Sequence, residues 1–411
     1  MRRFLAMCSA FVLMTSIVVC QNAENSSTNR PKGPPIGPPI NLLVLGDSLL
    51  WGEGLKTEHK SWSYVKTWIE KNTGRPVVEK IEAHSGAVVE NSSVDDNLVA
   101  SDGEVNLALP TLGEQVNHAL QFYGDGSKVD LVLVNGCVND IGVQNLMNAT
   151  TVGEITRLTE VKCGAPMRTL LKKITISFPN ANVIVAGYYL FFSDRTRNDF
   201  VFKSLARRFL KLDPAATNLA NKESFQRVVR NSSAWRQSSN KALGEVVENA
   251  NAELRSRGSI KRVIFTDVQF APECAFAAHG SFLWGFDRSP FRMMLAVISL
   301  GKILLPSNDE VRGKRNASCK EVFKQRPNES PSQEQERRSR LVLCRYASLG
   351  HPNRKGAMLY SDAIIESLKT LPRAIEKGVK GQGPGVGEGK IQVGAREMGR
   401  GTRNLVTIYS N

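Results

Sequence analysis

The chain has 411 residues, 41% of them hydrophobic, and a formal net charge of +15 at pH 7. That length accommodates one large domain or two small ones. The positive excess favours anionic surfaces such as acidic lipid, cell-wall polymer or polysaccharide, whereas the absence of any zinc-finger, RNP or helix-turn-helix signature sets specific nucleic-acid binding aside.

Arg2 and Arg3 precede an apolar stretch from Phe4 to Cys20, the charge-then-apolar pattern of a secretory signal over residues 1–20, with a cut expected after Cys20. Two alternatives weigh less: a lipoprotein box at Ile17-Val18-Val19-Cys20, and an uncleaved anchor at about the ~17-residue lower limit for a span. Export to the cell surface, periplasm or medium is the expectation. Residues 21–40 are polar and then proline-rich (Pro31, Pro34, Pro35, Pro38, Pro39), the composition of a semi-rigid linker.

From Asn41 apolar strands alternate with amphipathic segments, and a domain is expected over 41–375. Leu42 to Leu45 reads as a buried strand, Trp62, Val65, Trp68 and Ile69 share one helical face, and Val77 to Ile81 is a further strand candidate. Val129 to Val134, Val183 to Ala186 and Val263 to Phe265 are the other buried strands, Leu170, Leu171, Ile174 and Ile176 lie before the third of these four, and Gly356 to Leu368 is a closing helix. This alternation predicts an α/β fold with a central parallel sheet covered by helices on both faces.

Two insertions interrupt it, at about 191–260 (mainly helical) and 286–343 (an apolar segment, Phe291 to Leu305, then a charged stretch). Within the apolar segment, Phe291 to Ile298 is expected in the core, with a lid over an acyl pocket as the sharper alternative. Phe200 to Leu212 reads as an amphipathic surface helix with Val201, Leu205, Phe209 and Leu212 on one face, an anionic membrane surface being the alternative partner. Residues 376–411 are Gly-rich and basic, a composition that predicts a disordered tail.

Of the seven cysteines, Cys8 and Cys20 fall in the leader, leaving Cys137, Cys163, Cys274, Cys319 and Cys344. The odd number leaves one thiol outside any internal pairing. Cys319 and Cys344 bracket the charged insert and are candidates for one bridge, Cys137 and Cys163 for another. No Cys-x-x-Cys pair or histidine cluster has ligand spacing, so no metal is expected. The six sequons, at Asn25, Asn91, Asn148, Asn231, Asn316 and Asn328, carry glycans only in a host that glycosylates.

Four short blocks carry the chemistry. Gly46-Asp47-Ser48-Leu49 ends the first strand and delivers a serine to the C-terminal sheet edge, where α/β sheets keep their ligands; a plain Asp/Ser helix N-cap is the alternative. His84-Ser85-Gly86 follows the strand candidate at 77–81, Asn135 to Asp140 ends the strand at 129–134, and Ser348 to Asn353 contains His351-Pro352-Asn353. In this order the blocks closely resemble the SGNH (GDSL) hydrolase family, from Asn41 to about Ile365. The resemblance implies a three-layer α/β/α sandwich of flavodoxin-like type, and carboxylic-ester hydrolysis through an acyl-serine intermediate without a cofactor. By it, Ser48 is the nucleophile and His351 the base, with the Ser48 and Gly86 backbone N–H groups and the Asn139 amide as oxyanion donors. Asp47, Asp140 and His84 read as turn, cap and bystander residues.

One position departs from the family pattern: Ser348 stands three residues before the histidine, where an aspartate is usual. The Ser348 carbonyl is then the expected partner of His351, whose pKa should stay near the ordinary ~6.5. The same departure motivates the alternative of a catalytically weak binding module for carbohydrate or lipid. The expected substrate is a small-molecule, lipid or glycan ester.

Overall fold

The computed structural model describes residues 37–89, 102–199, 202, 209, 222–259, 263–298 and 305–371. The expected signal 1–20, most of the 21–40 linker, the 376–411 tail and all of the Phe200 to Leu212 segment except Phe202 and Phe209 lie outside these residues.

Five parallel strands form one sheet: β1 Ile40–Leu45, β2 Val77–Ile81, β3 Leu131–Val134, β4 Asn182–Ala186 and β5 Val263–Thr266, in the order β2-β1-β3-β4-β5. Val44 pairs with Ile81 on one side and Leu133 on the other. Val134 pairs with Val185, and Val185 with Phe265. This is the expected α/β sandwich, and its strand order is the flavodoxin-like one, which reverses direction at β1/β3 and opens a crevice beyond the carboxyl ends of those two strands.

The central strands β1, β3 and β4 are mostly apolar and buried because both faces are covered, whereas the edge strand β2 carries Glu79 and Lys80. Leu42, Leu43, Val44 and Leu45 are all fully buried, and complete burial of each such side chain contributes about 1.5–3 kcal/mol. Helix α1 is the single turn Ser48–Trp51, and α2 Ser61–Thr73 packs on the C-terminal helix. The other layer is built from α3 Leu112–Tyr123, short α4 Val138–Ile141, α5 Val143–Asn148 and α6 Val152–Thr159, then α7 Ala165–Ser177 and the 35-residue α8 Lys222–Ser256. Trp62, Val65 and Ile69 are buried on α2, as the periodicity requires. On α7, Leu170, Leu171 and Ile174 are buried, whereas Ile176 is exposed because it lies off that stripe.

The insertion at 286–343 contains α9 Pro290–Ile298, α10 Arg312–Val322 and α11 Pro331–Arg345, and α12 Arg354–Lys369 closes the chain. Cys319–Cys344 staples α10 to α11 and Cys137–Cys163 ties α4 to the turn before α7; Cys274 is buried and belongs to neither bridge. The first insertion is mainly helical among the described residues, as expected, with a loop at 191–199 before α8. Two expectations need correction. The third strand starts at Leu131 and not Val129; just before it, the Asp130 N–H donates to the Asn41 carbonyl at 3.1 Å and its carboxylate accepts from the Asn41 N–H at 2.9 Å. Phe291 and Met294 are exposed while Met293 packs against the core, so the described side chains of Phe291 to Ile298 do not form a core segment; Leu305, beyond them, is buried in the core.

Gly46, between β1 and α1, has φ +145°, and a Cβ there would meet Asn135 Oδ1 at 2.1 Å. Gly46→Ala should therefore cost at least the roughly 1–3 kcal/mol of a strained backbone position. Chemical denaturation measures it; an unchanged midpoint would show that the turn relaxes freely.

Candidate active site

Asp47 is the N-cap of α1, its carboxylate accepting from the Leu49 N–H at 2.9 Å, and Ser48 is the first residue of the helix. The cap and the sheet-edge serine thus coexist in one turn, with the serine itself buried. Gln115 clamps the turn from α3, accepting from the Gly46 N–H at 2.8 Å and donating to its carbonyl at 3.0 Å. Asn135, at the end of β3, donates to Asp47 Oδ1 at 2.7 Å, and Tyr188 donates to Asp47 Oδ2 at 3.3 Å. Burial pushes the Asp47 carboxyl above its usual range, against those hydrogen bonds. As a first-turn helix residue, Ser48 has a backbone N–H with no intrahelical acceptor.

His351 comes from the far end of the chain. Asn353 caps α12, accepting from the Lys355 and Gly356 N–H groups at 3.0 and 3.2 Å, while the His351 carbonyl accepts from Trp284 N–H at 2.7 Å. These bonds hold the preceding turn so that His351 Nε2 lies 2.6 Å from Ser48 Oγ. The ring is enclosed except for an edge on the cavity. Burial lowers its pKa to about 4; the Ser348 carbonyl works against the shift and the charge of Arg315 adds to it. That replaces the ordinary value expected from the sequence. The Ser348 carbonyl accepts from the His351 backbone N–H at 2.9 Å and makes no hydrogen bond of good geometry with Nδ1. The Ser348 hydroxyl is turned to Asp309 at 2.9 Å.

Asn139, on α4, donates from Nδ2 to the Ala87 carbonyl at 2.9 Å, leaving its second amide hydrogen uncommitted by that bond, and lines the same cavity. Asp140 accepts from the Val89 N–H at 3.0 Å, so these two residues fasten the 87–89 loop to the end of β3. Gly86 is buried at φ +80°, and a Cβ there would meet Asn106 Oδ1 at 2.2 Å and the Leu107 backbone. Packing of residues 106–107 is thus what requires glycine there, and Ser85 and Asn106 form the cavity wall. His84 is buried, its Nδ1 2.8 Å from the Ser85 carbonyl, and is absent from that wall.

The cavity, of about 370 Å³, runs from Ser48 and His351 between Val138, Val143, Phe191, Phe209, Trp235 and Tyr346. Two of its tyrosines have their hydroxyls engaged: Tyr188 with Asp47 and the Val138 N–H, Tyr189 with the Gly350 carbonyl at 2.9 Å. Phe209, placed by the sequence on the apolar face of an amphipathic helix, lies 5.1 Å from Tyr346 between ring centroids in this wall. Sequence reasoning missed Gln115, Asn135, Tyr188 and Asp309. Asn135 opens one of the four blocks without a role assigned there, and the others have no local signal.

No family model matches the chain, and no curated protein matches it. Among solved structures it is similar to an extracellular lipase from Streptomyces rimosus (15% identity, 59% of this chain and 87% of that chain, TM-score 0.36). It is likewise similar to phospholipase A1 from Streptomyces albidoflavus NA297 (14%, 61% and 89%, TM-score 0.37) and to the lipase Lip_vut3 from a goat rumen metagenome (14%, 82% and 99%, TM-score 0.38). At such identities and TM-scores the function has to be argued from the side chains.

A neutral imidazole is the form that accepts a proton. With its pKa near 4, any reaction using His351 as base should rise with pH through that value and be level above about pH 5. A pH profile of kcat/KM checks this; a rise centred near the unperturbed ~6.5 would show that the ring is hydrated in solution.

Proposed function

We propose that the protein is an exported serine hydrolase of the SGNH (GDSL) type that cleaves carboxylic esters with an apolar acyl group. The observation that carries the reading is the 2.6 Å contact between Ser48 Oγ and His351 Nε2 at the end of an aromatic-walled cavity. In the proposed reaction Ser48 Oγ bonds to the ester carbonyl carbon as its proton passes to His351 Nε2. The C–O bond to the alcohol then breaks as Nε2 returns the proton to the leaving oxygen. Water, deprotonated by the same imidazole, releases the acid and regenerates Ser48. The oxyanion donors are the Ser48 and Gly86 N–H groups and Asn139 Nδ2–H, each worth about 3–4 kcal/mol to the transition state. The aromatic and aliphatic side chains that make up much of the wall favour an acyl chain, and Asn106, Gln144 and Asn145 add polar surface among them. Export rests on the Arg2-Arg3 and Phe4 to Cys20 pattern.

Ser48→Ala should abolish hydrolysis and labelling by a fluorophosphonate while the protein stays folded; turnover at the wild-type rate would remove the mechanism, and absent turnover in the wild type would favour a binding module. Asn139→Ala should lower kcat by roughly 10²–10³ with KM little changed, and an effect confined to KM would make Asn139 a substrate-binding or loop residue.

At about 0.8 kcal/mol per buried methylene, p-nitrophenyl octanoate should exceed the acetate in kcat/KM by tenfold or more. Equal values would refute the acyl assignment of the cavity.

A further inference from the structure

Ser348 occupies the position of the missing acid, and its surroundings give it other work. The residue is fully buried, and its Oγ donates to Asp309 Oδ2 at 2.9 Å. Asp309 accepts two bonds from Arg315, at 2.9 and 2.5 Å, and another from Ser307 at 2.5 Å. Arg315, itself wholly buried, reaches Glu104 Oε1 at 3.4 Å and Glu53 Oε1 at 3.5 Å. Glu104 accepts from Trp51 Nε1 and from the Gly54 N–H, both at 2.7 Å. Trp51 ends the helix that Ser48 begins. A continuous polar chain thus runs from the Ser48 helix through Glu104, Arg315 and Asp309 to Ser348, whose carbonyl holds the His351 backbone N–H.

We propose that Ser348 and Asp309 are positioning residues for His351: they lock the turn 347–351 onto the loop following Ser48, so that Nε2 faces the serine and the turn's carbonyls face Nδ1. The proposal rests on the hydrolase reading above. A triad acid orients the imidazole by touching Nδ1; here a carboxylate one residue removed orients the backbone that carries the ring. Burial works to raise the Asp309 pKa, and its bonds to Arg315, Ser307 and Ser348 outweigh it, keeping the carboxylate charged. The side-chain direction also reverses the simplest expectation for restoring an acid. A carboxylate at 348 would lie against Asp309 in a dry site, where two like charges oppose each other.

The test compares wild type, Ser348→Ala and Ser348→Asp by steady-state hydrolysis of p-nitrophenyl octanoate, fluorophosphonate labelling and ¹⁵N spectra of the histidine rings, with His351→Gln assigning the His351 signal. In Ser348→Ala, kcat should fall roughly 10- to 100-fold, short of the ~10⁴ that follows loss of a triad acid, with KM within about twofold. Its His351 signal should move from a single Nδ1–H tautomer toward an average of the two, which a merely destabilised protein with an intact site would not show. Ser348→Asp should also lose turnover. Wild-type kcat with an unchanged ¹⁵N signature in Ser348→Ala would overturn the proposal, as would a gain of turnover in Ser348→Asp. If Ser348→Ala does not fold, Ser348→Cys, with its weaker donor, carries the same two readouts. Should wild-type Ser48 resist the fluorophosphonate, the hydrolase reading falls, and the tautomer comparison still decides the positioning role.

Discussion

Ser48 and His351 are 303 residues apart in sequence and 2.6 Å apart in space, and the rest of the molecule can be understood as the means of holding that distance. No local interaction can do it, so each partner is fixed by a different part of the fold. The serine is fixed by the sheet: β1 ends in a glycine that admits Asn135, Asp47 caps the helix, and Gln115 grips the turn from a third element. The histidine is fixed by a helix cap and by backbone bonds to residues 282–284, with Asn353 accepting from α12 and its N–H donating to the Phe282 carbonyl at 2.8 Å. Both depend on donors and acceptors in buried surroundings, where an unmade bond is costly and geometry is correspondingly well defined.

The electrostatics of the pair follow from what surrounds it. An imidazole opposite a carboxylate is drawn toward its charged form; one enclosed by apolar walls, with a guanidinium nearby, is drawn toward its neutral form. His351 is of the second kind, and the carboxylate that might have reversed this is Asp309, engaged by Arg315. The buried cluster of Arg315, Asp309, Glu53 and Glu104 is a weak source of net stability, since desolvation of so many charges offsets most of their attraction. What it supplies is directional: a bidentate Arg–carboxylate pair fixes orientation as well as distance. Burial, with the neighbouring Glu104 carboxylate, pushes Glu53 well above the usual carboxylate range, which limits the negative charge the cluster has to hold.

The strands and the four blocks were legible because each is a local pattern. Unbroken runs such as Leu42 to Leu45 signal strands covered on both faces, and their C-terminal ends mark where Ser48 and Asn139 emerge. The pairing of Cys319 with Cys344 followed from their bracketing one insert. Gln115 and Tyr188 were not legible, since a glutamine on an amphipathic helix and a tyrosine after a strand look the same whether or not they point at Asp47. Asp309 was hidden for a stronger reason. It lies 39 residues before Ser348 within a charged stretch that reads as solvated surface, and nothing in that stretch distinguishes the carboxylate that folds inward. The acidity of His351 was misjudged for a related reason: the missing aspartate is visible in sequence, whereas the burial and the arginine that set the pKa are tertiary.

The insertion at 286–343 interrupts the strand–helix alternation, yet it carries more of the site than its sequence suggests. Its inner side contributes Asp309 and Arg315 to the brace behind His351, and the segment that follows it contributes Tyr346 and Leu349 to the cavity wall. The Cys319–Cys344 bridge joins the helix bearing Arg315 to the one leading into Tyr346, and with Val105, Leu107 and Phe323 it forms a small core beside the residue 102–107 loop. That same loop brings Glu104 to the brace and Asn106 to the cavity. One disulfide-stapled hairpin therefore bears on both sides of the site, the orientation of His351 and the shape of the cavity wall. The sheet, by contrast, bears on the serine and Asn139. Changes confined to the hairpin would then alter His351 and the wall together, while changes at the ends of β1 and β3 would act on Ser48 Oγ and on the groups proposed to receive an oxyanion.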